Sequence, residues 1–207
     1  MRFFYNAVIA FFTVVGTASP VPEAEDQPDP KSVYIESVTW NGSGCKRGTS
    51  DTTASLSDDR KTISVLYSNY VAQSGTGSSA SDGRKNCLLN FKLHVPKGWQ
   101  YTMSNTIFHG FADMGNGGCN GYVKASYWFS GQTGSVGAQY NFPKNALGNY
   151  ETTTTVQAIW PTCNIPTMFN VNSEAYISCS KNRGQLTVDS IDHTYRETYI
   201  LSWRRCD

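Results

Sequence analysis

Cys87-Leu88-Leu89-Asn90-Phe91-Lys92-Leu93-His94-Val95 decides the fold class of this 207-residue chain. Cys87, Leu89, Phe91, Leu93 and Val95 alternate with Leu88, Asn90, Lys92 and His94, a period of two that buries one set of side chains and wets the other. The stretch reads as a half-buried strand with Cys87 inward and His94 outward. Away from it the same period returns. Phe169, Val171, Ala175, Ile177 and Cys179 alternate with Asn170, Asn172, Glu174 and Ser178, and Val123, Ala125, Tyr127 and Phe129 alternate with Lys124, Ser126 and Ser130. Further strands are expected at 33–40, 62–71, 99–103, 106–111, 152–160, 186–189 and 195–203, about ten in all. No twelve-residue window carries a helical apolar stripe, and Thr152 to Thr155 is β-branched throughout. Turn signals at 96–98, 143–148 and 182–184 separate the runs. The expected fold is all-β: a single antiparallel β-sandwich, jelly-roll-like, over residues 31–207, with a barrel as the near alternative.

Composition agrees with this reading. Charged residues make up only 16% of the chain, against about 25% in an average soluble domain, and Gly, Ser, Thr, Asn and aromatics fill the difference. With 17 basic against 16 acidic residues, spread along the chain, there is no field to gather nucleic acid or anionic lipid. Met1-Arg2, the apolar run 3–15 and Gly16-Thr17-Ala18 have the form of a signal peptide cleaved after residue 18. That run is shorter than the roughly 20 apolar residues that span a bilayer, so the expected product is secreted and free of the membrane. Residues 19–30, rich in proline and acids, are expected to be a disordered spacer or propeptide.

Export gives the cysteines their meaning. Cys45, Cys87, Cys119, Cys163, Cys179 and Cys206 are even in number and include no C-x-x-C pair, so three disulfides are expected rather than a metal or redox site. Spacing alone leaves fifteen pairings open.

Motifs of chemistry are sparse. The sequence contains no G-x-S-x-G, H-E-x-x-H or phosphate loop, and the glycines at 115, 117, 118 and 121 precede a strand rather than a helix. No cofactor or metal is expected, and no catalytic residue is assigned. Asp189-Ser190-Ile191-Asp192-His193 gathers acid, hydroxyl and imidazole, but neighbours on a strand and turn point to opposite faces, so turn capping is the reading. Asp58, Asp59, Asp82, Asp113, Glu151 and Glu174 are available for paired-carboxylate hydrolysis, yet no spacing selects two of them. Trp128 stands apart from the other tryptophans: it falls on the polar side of its strand with Lys124, Ser126 and Ser130, making Trp128, Lys124 and Ser126 the candidate binding residues. Asn41-Gly42-Ser43 is an N-glycosylation sequon, which places Asn41 in a surface turn.

Several of these stretches together resemble the secreted, mostly fungal proteins of domain of unknown function family 4360. They are Asn41-Gly42-Ser43-Gly44-Cys45, Ser57-Asp58-Asp59-Arg60, Arg84-Lys85-Asn86-Cys87, the turn Pro96-Lys97-Gly98-Trp99-Gln100, the aromatic Tyr127-Trp128-Phe129-Ser130-Gly131 and the closing Trp203-Arg204-Arg205-Cys206. The resemblance runs from about residue 33 to 206. It implies bridges of Cys45 with Cys87 and Cys163 with Cys206, leaving Cys119 with Cys179, and it brings no catalytic residues. It also implies export by a fungus, to the cell wall or a host's extracellular space. The expected function is non-enzymatic surface recognition by an extracellular effector or wall-associated protein, with a host extracellular protein or a cell-wall polysaccharide as partner. A wall carbohydrate-active enzyme, or a protease inhibitor acting through loop 112–121, are the alternatives.

Overall fold

The computed structural model describes residues 27–188 and 196–206. The expected signal peptide, most of the spacer 19–30 and the Asp189 to His193 cluster lie outside the described residues.

Twelve strands are present among the described residues: β1 Tyr34–Asn41, β2 Thr52–Leu56, β3 Thr62–Tyr67, β4 Val71–Ser74, β5 Arg84–His94, β6 Trp99–Asp113, β7 Cys119–Phe129, β8 Val136–Asn141, β9 Leu147–Thr155, β10 Met168–Cys179, β11 Gly184–Thr187 and β12 Arg196–Arg205. Every ladder is antiparallel. One sheet runs β1-β5-β10-β7-β8; the other runs β2-β3-β12-β6-β11-β4, with β9 on the free side of β6. The inward sets named by the alternation form the core, where Leu89, Phe91, Tyr127, Phe129, Phe169 and Val171 are fully buried. Phe169 is its aromatic hub, touching the rings of Phe91, Tyr101, Tyr127 and Phe129.

The expected count of about ten strands falls short by two. β2 and β8 were not anticipated, because each is a short sheet edge needing little apolar surface. Residues 99–103 and 106–111 are one strand, β6, whose pairing with β12 shifts register between Ile200 and Leu201, and the residue left over, Ser104, donates to the carbonyl of Ile200 at 3.2 Å. The run 62–71 divides into β3 and β4, with Tyr70 turned fully inward just before β4. Residues 156–160 leave the sheet and lead into a segment containing Pro161 and Pro166, neither of which can donate to a ladder.

Three disulfides staple the sheets: Cys45–Cys87, Cys119–Cys179 and Cys163–Cys206. Cys119 is the first residue of β7 rather than part of a glycine loop, and it lies directly opposite Cys179 of β10, with Cα atoms 4.0 Å apart.

β11 and β12 follow one another along the same side of β6, and at their junction the packing is closest. A Cβ on Gly110 would lie 1.9 Å from the carbonyl oxygen of Thr187. The absence of a side chain there lets Thr187 accept from Tyr150 Oη at 2.7 Å and from the Phe111 amide at 3.0 Å through its hydroxyl. Gly110→Ala is therefore expected to destabilise the protein by about 2 to 3 kcal/mol, measured by urea unfolding.

Candidate functional site

The polar sides of β5, β10 and β7 make one continuous surface, the outer face of the five-stranded sheet. Antiparallel register aligns their outward side chains in rows. Thr39, Asn90, Asn170 and Trp128 form one row; Asn41, Leu88, Asn172 and Ser126 the next; then Asn86, Glu174 and Lys124; then Arg84, Tyr176 and Tyr122. Trp128, Lys124 and Ser126, singled out from alternation along one strand, thus share this face, and each is half-buried.

Amide groups fix the first row. Asn90 Nδ2 donates to Asn170 Oδ1 at 2.6 Å, and Asn170 Nδ2 donates to Ser130 Oγ at 2.9 Å and to the Trp128 carbonyl at 3.3 Å. Asn86 Nδ2 reaches Asn172 Oδ1 at 3.4 Å. Cross-strand pairs of this kind hold side chains in one arrangement before any ligand arrives.

The far end of the face is charged. Glu174 accepts from the Arg84 guanidinium and from Tyr122 Oη. Burial works to raise its pKa, but the hydrogen bonds from Arg84 and Tyr122 outweigh it and hold the carboxyl below its ordinary value. Tyr122 moves the opposite way, pushed up to about 12 by burial and by the neighbouring carboxylate. Tyr122 and Tyr176 stack with ring centroids 5.0 Å apart. At working pH this end carries an ionised Glu174, a charged Arg84 and a neutral Tyr122.

Asn41 is exposed at the end of β1, on the same face and one row from Trp128. Its sequon partner Ser43 is tied to Asn86, accepting from the Asn86 amide at 3.1 Å and donating to its Oδ1 at 3.2 Å. A glycan at Asn41 would rise beside these rows at the sheet edge.

The other acids are dispersed. Asp59 accepts from Ser57 Oγ and the Lys61 amide, Asp82 from Ser79 and Lys85, and Asp113 from the Gly115 amide, all as turn caps. Glu151 lies on β9 of the other sheet, 3.3 Å from His109 Nδ1. Half of loop 112–121 is absorbed into β6 and β7, leaving 114–118 as the turn; Met114 and Cys119 are buried, and Asn116, Gly117 and Asn120 are its exposed residues. Asn182 Nδ2 ties the turn down through the Gly115 carbonyl at 2.8 Å.

Sequence reasoning passed over Glu197, a carboxylic acid whose pKa is raised. It lies fully buried between the sheets, and burial raises its pKa although three hydroxyls donate to it: Tyr67 and Tyr199 to Oε2, both at 2.7 Å, and Ser173 to Oε1 at 2.6 Å. The signal was available, since Glu197 shares parity with Tyr199, Leu201 and Trp203. A carboxyl enclosed in this way serves the core; a substrate outside cannot reach it.

Comparison with known proteins adds two findings. The profile of DUF4360, a domain of unknown function, matches residues 31–206. A protein of Arthroderma benhamiae described as an uncharacterized secreted protein is 32% identical over 184 residues, 86% of this chain and 74% of that one.

Proposed function

The chain belongs to the DUF4360 family, and from that premise we propose that it is a secreted fungal-type protein that works by surface recognition, without catalysis, through the outer face of β5, β10 and β7. Its partner is a cell-wall polysaccharide, which places the protein among wall-associated proteins or extracellular effectors. The observation that carries this reading is the row Asn90, Asn170, Trp128. Asn170 is itself buried, and its amide holds Asn90 and Ser130 in place beside the half-buried indole. A sugar ring presents an apolar C–H face, which stacks on an indole, and a rim of hydroxyls, which pair with amides and seryl oxygens. Ser126 and Lys124, two and four residues from Trp128 along the same strand face, extend the polar rim.

Co-sedimentation of the purified, oxidised protein with insoluble chitin and β-glucan, repeated with Trp128→Ala, tests the proposal. The native protein is expected to sediment with one of them, and the variant to lose at least tenfold in affinity while its melting temperature stays within about 2 °C, as for a surface substitution. Equal sedimentation of both proteins would remove the outer face as the binding surface. Retention instead by one defined host extracellular protein, again lost in the variant, would keep the face and replace the polysaccharide.

A further inference from the structure

A second surface lies at one end of the sandwich, beyond the row of Asn90, Asn170 and Trp128. There the end of β5, the turn into β6 and residues 161–167 enclose a groove of about 310 Å³. The Cys163–Cys206 bridge ties the last of these segments to the end of β12. Pro161, Pro166, Ile165, Val95 and Trp99 supply apolar walls. Ile165 is a large apolar side chain 59% exposed, while the Trp99 ring is held in place by the Arg205 guanidinium 4.2 Å from its centroid.

Tyr101 also lines the groove. Its ring is only 3% exposed and is wedged edge-on against Phe129 and Phe169, yet its hydroxyl has no hydrogen-bond partner among the described residues. An orphaned buried hydroxyl is costly, and native proteins satisfy such groups with a partner. Burial drives the Tyr101 pKa upward, so the group is a neutral O–H that offers its proton to an oxygen acceptor. At the rim, Glu36 already accepts from Lys92 at 2.7 Å and lies 3.4 Å from His94, whereas Lys97 and Arg205 pair with no carboxylate among the described residues. Among the described residues, the uncompensated charge at this end is positive.

We infer that the groove binds a small organic acid: a compact apolar body between Pro161, Pro166 and Ile165, an oxygen acceptor at Tyr101, and an anionic group toward Lys97. A pocket of this size, mostly apolar with few convergent polar groups, suits a ligand of that kind.

Three probes separate the two polar contacts: 6-hydroxy-2-naphthoate carries both, 2-naphthoate lacks the hydroxyl, and 2-naphthol lacks the charge. Titration calorimetry on the full oxidised protein is expected to rank the first probe tightest, with each deletion weakening binding about three- to tenfold. Tyr101→Phe is expected to abolish the difference between the two naphthoates, and Lys97→Gln the difference between hydroxynaphthoate and naphthol. Because the hydroxyl has no partner to lose among the described residues, Tyr101→Phe is expected to keep its melting temperature within about 2 °C of the native value. The inference is overturned if the three probes bind alike, if none binds, or if Tyr101→Phe lowers the melting temperature markedly, which would mean the hydroxyl is already satisfied in the free protein.

Discussion

Glu197→Leu is expected to cost about 3 to 5 kcal/mol of folding stability, while Glu197→Gln leaves the protein folded and flattens its response to pH. Leucine would leave the hydroxyls of Tyr67, Tyr199 and Ser173 without the acceptor they share, in a part of the core where Tyr199 and Ser173 are fully buried. Glutamine can meet the same geometry. Its carbonyl takes the two tyrosyl protons, its amide donates to Ser173 Oγ, and the serine proton turns toward Tyr70 Oη 3.2 Å away. The pH response follows from burial, which holds the Glu197 pKa above the ordinary 4.5. With the folded pKa above the unfolded one, the stabilisation is complete below the unfolded pKa and is lost as pH rises through the folded value. Glu36, Asp59, Asp82 and Glu174 are shifted downward, so their contributions are present above the ordinary carboxylate range and lost as pH falls below it. Between neutrality and the ordinary carboxylate range, acidification should therefore favour the native protein over Glu197→Gln. Urea unfolding of both at pH 7, 6 and 5 measures it. A difference in stability that stays constant with pH would show that Glu197 does not titrate in this window.

Parity along single strands was legible, and what depended on neighbouring strands was not. The alternation at 87–95 and 169–179 assigned Cys87, Leu89, Phe91 and Phe169 to the core, where they are found. It also put Trp128, Lys124 and Ser126 on one side of β7. What it could not supply were Asn90, Asn170 and Asn172, because those amides meet Trp128 and Ser126 only through the order β5-β10-β7, which joins segments some 40 to 80 residues apart in the chain. Edge strands hid for a related reason: Thr-Thr-Ala-Ser-Leu in β2 and Val-Gly-Ala-Gln-Tyr-Asn in β8 are backbone partners first and core contributors second. Glu197 was concealed by its charge. A carboxylate is read as solvent-facing, and only the three hydroxyls converging from β3, β10 and β12 make burial tolerable. The groove has no local signature at all, since Tyr101, Ile165 and Glu36 meet only once the strands are stacked.

The bridges Cys45–Cys87 and Cys163–Cys206 allow loop entropy to be separated from packing, because they span nearly equal lengths of chain, 42 and 43 residues. Restriction of the unfolded chain should give each about 4 kcal/mol. Their surroundings differ. Cys45 and Cys87 are 2% and 0% exposed within the core cluster, whereas Cys163 and Cys206 are half-buried at the open end of the sandwich. Replacing the first pair with alanine removes the same entropic restriction and also leaves a void where two sulfur atoms were packed, so its expected cost is about 5 to 6 kcal/mol against about 4 for the second. Total stabilities of ~5 to 15 kcal/mol place the Cys45→Ala/Cys87→Ala protein near the edge of folding and leave Cys163→Ala/Cys206→Ala folded. Guanidinium unfolding of the two double variants gives the ranking, and equal losses would mean that burial of the sulfur atoms adds nothing. The second variant carries a further consequence. Without its bridge the segment bearing Ile165 and Pro166 is no longer anchored to the end of β12, so hydroxynaphthoate binding should weaken even though the sheets and the Tyr101 hydroxyl remain in place.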